Sequence, residues 1–259
     1  MQRHIIKTGG LVLAVLASGV YANEWSYYGG DQGGKHYSSA KQITKNNVDS
    51  LDVAWVYQSG DMEKYGEAMA QTSTQATPIL LPPAAGESLV YCTPYSRVIA
   101  LDPATGTQRW DYDPEISLEG DRPFRCRGVS YAQDMQTESG QQCRHRIYIA
   151  THDRTIRALD AKTGKACESF GIKGTAFLYG KEGFPPGDVS NSATPVIANN
   201  ILVTGSSVID FSKSNSPRGI VTALDTHSGK ILWTFDPLIG NQQSGSANVW
   251  SQMSVDAIN

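Results

Sequence analysis

The chain has 259 residues, 40% of them apolar, which is enough for one large core or two ordinary ones. A formal net charge of -3 gives no reason to propose a nucleic-acid partner, and no basic run suggests anionic lipid. The 25 glycines suit a turn-rich all-β architecture better than a helical one.

Residues 1–22 read as an export signal. Arg3 and Lys7 form a short basic region, and an apolar run follows over 11–20. Val20-Tyr21-Ala22 then sets small or modest side chains where a signal peptidase inspects them. The run is too short to span a bilayer comfortably. The expectation is cleavage after Ala22 and a periplasmic address, with an uncleaved anchor as the alternative. The "GGDQGG" at 29–34 lacks the preceding strand and following helix of a dinucleotide loop. The segment "LDVAWVYQSGD" (51–61) reads as a lone strand.

Three units follow in chain order. The first has strand-like runs at 76–83 and 88–96, then "RVIALD", the turn Thr105-Gly106 and "QRWDYDP". The second has runs at 127–134 and 146–153, then "TIRALD", Thr163-Gly164 and "ACESF" (166–170). The third has runs at 192–200 and 201–208, then "GIVTALD", Ser228-Gly229 and "KILWTFDP". One phrase is therefore written as "ALDPATGTQRW", "ALDAKTGKACE" and "ALDTHSGKILW". Four strands per unit at a spacing of about 60 residues is the grammar of β-propeller blades. Trp110 and Trp233, closing their phrases, are expected to wedge between blades; Glu168 stands in that place in the second copy. A fourth unit begins at about Val249.

Four cysteines, Cys92, Cys126, Cys143 and Cys167, occur without C-x-x-C or zinc-ligand spacing. In an exported chain disulfides are their favoured use, and buried thiols the plainer alternative. The five histidines form no metal or triad spacing.

The repeated phrase resembles the tryptophan-docking motif of the dehydrogenases that depend on pyrroloquinoline quinone (PQQ). The stretch 25–61, opening "WSYYGGDQGG", is similar to their N-terminal signature. "YCTPYSRVIALDPATG" and "CRGVSY" look like the branch that oxidises glucose, quinate or shikimate. The resemblance implies an all-β, eight-bladed propeller of four-stranded blades, with the quinone on its axis. Residues 23–259 would form an N-terminal strand, three blades and the start of a fourth, about the first half of such a ring.

PQQ is planar, carries three carboxylates and takes up two electrons, so its site needs a stacking surface, cations and hydroxyls, and a Lewis-acidic metal. In a propeller the innermost strand of each blade starts at the cofactor face and the second strand ends there. By the resemblance, Arg127 matches the carboxylate-binding arginine, and Ser192 and Ser207 match hydroxyl contacts. Asp210 matches the calcium ligand, and Trp250 matches the tryptophan on which the ring stacks. Gln75 stands where some relatives place a glutamate, and Tyr95 where some place a histidine. The same strand directions set Cys92 and Cys126 near the cofactor face and Cys143 and Cys167 at the opposite end. Pairing Cys126 with Cys143 would span a strand length of about 20 Å, whereas a disulfide allows Cα atoms about 4.4–6.8 Å apart. The expected pairs are Cys92–Cys126 and Cys143–Cys167.

The function implied is a periplasmic PQQ- and Ca2+-dependent dehydrogenase acting on a sugar or cyclic polyol, with electrons leaving to a respiratory acceptor such as ubiquinone. The proton-accepting aspartate of relatives falls beyond Asn259, so no catalytic residue is assigned, and a C-terminal half supplied separately is expected for turnover. The rival readings are a non-catalytic propeller scaffold that binds protein partners and an inactive gene fragment.

Overall fold

The computed structural model describes residues 25–120, 123–179, 183–209, 216–240 and 245–256. The expected export signal lies outside the described residues.

Three four-stranded antiparallel sheets follow one another along the chain. The first is β1 (Ile79–Leu80), β2 (Leu89–Cys92), β3 (Val98–Leu101) and β4 (Gln108–Tyr112), in that spatial order. The second is β5 (Ser130–Gln133), β6 (His145–Ala150), β7 (Thr155–Asp160) and β8 (Thr175–Phe177). Next come β9 (Val189–Ser190), β10 (Val196–Ala198), β11 (Ile201–Thr204), β12 (Ser207–Val208), β13 (Val221–Asp225) and β14 (Ile231–Phe235). Of these, β10, β11, β13 and β14 form the third blade, while β9 and β12 make a small separate ladder. Alternation along β6 sends Ile147 and Ile149 into the apolar layer shared with the first blade. Tyr148 and Ala150 go into the layer shared with the third.

The repeated phrase folds alike in all three blades. Asp102 Oδ1 accepts hydrogen bonds from the backbone and hydroxyl of Thr105; Asp160 does the same for Thr163, and Asp225 for Ser228. The carbonyl of each Asp accepts from the N–H of the glycine four residues on, at 2.9 Å every time. Gly106, Gly164 and Gly229 all have φ of 70°, a left-handed conformation in which a side chain is strained.

Their missing side chains have a second use. A Cβ on Gly106 would lie 2.5 Å from the Trp55 indole, and one on Gly164 2.6 Å from the Trp110 indole. Each indole N–H donates to a carbonyl of the same turn, Trp55 to Pro103 and Trp110 to Ala161, both at 3.2 Å. An aromatic ring from one segment thus caps the turn of the next blade. Residues 51–60 form no ladder among the described residues, yet Trp55 makes this docking contact. The short helix α1 (Asp61–Tyr65) that follows is tied to the first blade by Arg97. Its guanidinium pairs with Asp61 at 2.5 Å and Asp111 at 2.6 Å.

The junction of the second and third blades is built differently. The outer strand expected over 166–170 does not form. Ala166 makes a single bridge to Leu159, the Cys167 N–H donates to Ala158, and the chain turns back at Phe170. The outer strand restarts as β8, paired with the first half of β7. This detour delivers Cys167 to Cys143 and sets the Phe170 ring 3.3 Å from where a Cβ on Gly229 would be. Glu168 is exposed. The Thr226 carbonyl, equivalent to those of Pro103 and Ala161, accepts from the Tyr148 hydroxyl at 2.7 Å and from Arg146 at 3.1 Å. Arg146 is fully buried and pairs with Asp134 at 2.5 Å; it also donates to Cys143, His227 and Ser169. His227 Nδ1 meets the same Asp134 oxygen at 2.7 Å. A ring and a buried ion pair divide the work of one tryptophan. Trp233, expected to wedge between blades, is instead 46% exposed, beside exposed Leu232 and Phe235 on the outer strand of the third blade.

Both expected disulfides are present. Cys92–Cys126, with Cα atoms 6.0 Å apart, joins the first blade to the entry of the second. Cys143–Cys167, at 5.7 Å, lies within the second. They span 34 and 24 residues, and loops of that size correspond to about 3–4 kcal/mol each in the chain-entropy account.

Two outcomes are expected from this packing. Trp110→Ala should cost about 3–5 kcal/mol, because it empties an inter-blade contact and leaves the Ala161 carbonyl without its donor; urea unfolding measures it. Burial raises the Asp134 pKa, but bonds from Thr137, His227 and the Gln136 N–H, with the Arg146 charge, outweigh this and hold it below the usual carboxylate value. A depressed carboxyl contributes stability above its unfolded pKa of about 3.9 and loses it as pH falls through the folded value. Thermal melts of Asp134→Asn should therefore show a lower Tm than the parent at pH 7, with the gap closing below about pH 4.

Candidate functional site

The site forms where the chain enters successive blades at their innermost strands. The Thr77 N–H donates to the Arg127 carbonyl at 2.9 Å, and the Arg127 N–H donates to the Ser192 carbonyl at 3.1 Å. This backbone belt fixes the entry points of three blades against one another. The blades approach so closely that a Cβ on Gly128 would lie 2.7 Å from the Thr194 hydroxyl. Cys126, bonded to Cys92, anchors the belt from behind.

Three of the residues singled out by sequence meet here. The Arg127 guanidinium donates to Ser192 Oγ at 2.7 Å, and its carbon lies 5.0 Å from the Trp250 ring centroid, within cation–π range. Trp250 stays 50% exposed, so part of its ring surface is open. Its approach depends on glycines. A Cβ on Gly205 would lie 2.0 Å from the Val249 carbonyl, and one on Gly219 2.0 Å from the Ala247 carbonyl. Only bare backbone lets 247–249 lie directly on the third blade and present Trp250 to Arg127.

Arg127 has no ion pair among the described residues. Burial, and then the charge of Arg125, lower its pKa from the ordinary guanidinium value. A guanidinium remains protonated at neutral pH regardless. The rim therefore holds a positive charge without a carboxylate partner, beside a hydroxyl and an indole face. That donor set fits a flat ligand bearing carboxylates.

The remaining expected residues are placed as follows. Ser207 pairs with Ser190 in the small ladder, two positions before Ser192 in the partner strand. Gln75 is exposed two residues before Thr77, and its amide donates to Ser73 at 2.9 Å. Tyr95 is set apart, its ring 0% exposed and stacked on Tyr65 at 3.8 Å and near Phe124 at 5.0 Å. It builds a satellite core with Ile116 and Phe124. Asp210 lies outside the described residues. Among the described residues no three His, Cys, Asp or Glu side chains cluster as metal ligands. Sequence reasoning passed over Thr77 and Thr194, although the repeated "ATP" at 76–78 and 193–195 marks both as blade entries.

Three docked four-stranded blades form part of a propeller, and the donor set at their entry points fits a planar anionic group. Residues 25–259 match the PQQ family described as "Glucose/ethanol/alcohol dehydrogenase, beta-propeller domain", and the chain belongs to this family of quinoprotein dehydrogenases. It is 32% identical to quinoprotein glucose dehydrogenase A of Acinetobacter calcoaceticus, over 97% of this chain and 34% of the relative. Identity is 34% with the quinoprotein glucose dehydrogenase of Escherichia coli K12, over 85% of this chain and 28% of the relative. With the quinate/shikimate dehydrogenase (quinone) of Acinetobacter baylyi it is 30%, over 90% and 31%. The chain spans about a third of the length of these relatives. The quinohemoprotein alcohol dehydrogenase structure from Comamonas testosteroni superposes with a TM-score of 0.68 at 22% identity, over 91% of this chain and 34% of that one. That likeness supports the propeller fold.

Gly205→Ala should displace 247–249, because the new methyl would overlap the Val249 carbonyl. The expected outcome is a shift in Trp250 fluorescence emission toward that of free indole, with the cysteine pairing unchanged. An unaltered spectrum against a Trp250→Phe control would count against this account of how Trp250 is held.

Proposed function

We propose that the chain contributes the PQQ-binding rim of a periplasmic dehydrogenase that oxidises a hydroxyl of a sugar or cyclic polyol. The Arg127 guanidinium against Trp250, with no carboxylate partner among the described residues, carries this reading. When bound, PQQ supplies a two-electron acceptor for the alcohol. The protein's own residues do the holding. Arg127 would bind a carboxylate through its planar fork, and Ser192 holds that fork by accepting from it. Trp250 stacks on the ring, and the belt through Thr77 and Ser192 keeps these groups from drifting apart.

Asp210 is proposed as a hard oxygen ligand for Ca2+ beside the quinone. Electrons would pass to a respiratory acceptor such as ubiquinone, and the remaining blades would be supplied by a C-terminal half. Export follows from the reading of residues 1–22 as a cleaved signal. Relatives are named as glucose, glycerol and quinate/shikimate dehydrogenases, which favours a multiply hydroxylated substrate. A scaffold for protein partners has no need of an unpaired cation beside an indole at the blade entries.

Titration with PQQ tests the reading. Arg127→Ala should weaken binding roughly ten- to hundredfold, the range for losing one charge-assisted contact. Asp210→Ala should raise the calcium concentration needed for half-maximal binding. Unchanged PQQ and calcium titrations in both variants would refute the assignment.

A further inference from the structure

Residues 123–128 run as an extended segment in which burial alternates. Phe124, Cys126 and Gly128 point inward and are buried, while Pro123, Arg125 and Arg127 are only partly covered. Period-two alternation sets Arg125 and Arg127 on the same side of the chain. The disulfide from Cys126 to Cys92 and the Phe124 ring, packed at 5.0 Å from Tyr95, hold the intervening residues on the other side. The two side chains thus leave the chain on the same side at the blade entry, close enough for the charge of one to act on the other. Arg125 makes no hydrogen bond or ion pair among the described residues, and its buried Nε has no partner. Among the described residues the Arg127 side chain bonds Ser192 and meets no carboxylate. The Arg125 charge also contributes to the lowered pKa of Arg127. Two neighbouring cations without a counter-charge among the described residues, one with an orphaned buried donor, are unfavourable in the empty protein. Strain of this kind is relieved by a ligand that supplies the missing charge.

We propose that Arg125 and Arg127 act together as a two-guanidinium clasp that grips two separate carboxylates of PQQ. This rests on the PQQ reading above and deepens it, since it assigns Arg125 a cofactor-binding role. A single carboxylate would neutralise only one of the two charges, whereas PQQ offers three around one rigid ring. The clasp selects a polycarboxylate over a monoanion.

The test is a titration with PQQ, followed by quenching of tryptophan fluorescence, on the parent chain and on Arg125→Gln, Arg125→Lys and Arg127→Gln. Arg125→Gln should weaken PQQ binding about tenfold or more, as removal of one charged hydrogen bond does. Arg125→Lys should recover part of that loss, because lysine keeps the charge but not the fork. A second readout separates binding from structure. Without ligand, Arg125→Gln should melt at the same temperature as the parent or higher, because it removes one of two repelling charges. A clear drop in that melting temperature would mean that Arg125 is paired within the fold, and would overturn the clasp. Unchanged PQQ affinity in Arg125→Gln, with weakened affinity in Arg127→Gln, would overturn the clasp and leave the PQQ reading standing. A parent that fails to bind PQQ, or an Arg127→Gln variant that binds as the parent does, would sink both.

Discussion

The structure depends on one contact made repeatedly: an aromatic ring laid on a glycine in the turn of the next blade. A sheet has two faces, and a four-stranded blade cannot bury both by itself. The glycine serves twice, since its positive φ closes the turn and its missing Cβ makes room for the ring. The indole N–H then takes a turn carbonyl that would otherwise be left bare. Ring, turn and carbonyl form one unit, and blade order follows from who docks on whom.

The junction of the second and third blades shows which part of that unit is indispensable. The tryptophan is lost there, but both of its tasks are still performed. Phe170 covers Gly229, and the Thr226 carbonyl is satisfied by Tyr148 and Arg146. Burying a guanidinium is costly unless its donors and charge are met. Asp134 provides the charge, and Cys143, Ser169 and His227 accept the remaining bonds. Apolar docking is thereby exchanged for a polar lock that depends on ionised Asp134.

At the rim the logic is reversed. Arg97 and Arg146 are neutralised by aspartates, whereas no carboxylate among the described residues pairs with Arg127 or Arg125. The Arg127 charge sits beside a half-exposed indole at the blade entries, where three blades meet. The belt through Thr77, Arg127 and Ser192 turns that place into a rigid platform.

The repeat was legible in the residues alone, because Asp, Thr or Ser, and Gly at fixed intervals are demanded by local turn chemistry. Blade strands and the two cysteine pairs followed from the same directions, since strand geometry limits which sulfurs can meet. Arg127, Ser192 and Trp250 were marked by resemblance, but their meeting was decided by tertiary structure. Gly205 and Gly219 bring 247–249 onto a blade far away in sequence. Tyr95 could not be placed from sequence, because its burial depends on Tyr65 and Phe124 arriving from separate segments. The outer strand of the second blade was misplaced for a similar reason. "ACESF" has the right position for a strand, yet Cys167 and Phe170 are drawn away by Cys143 and by Gly229 of the next blade. Local chemistry writes turns and strands into the sequence; contacts between blades are settled only when distant segments compete for the same space.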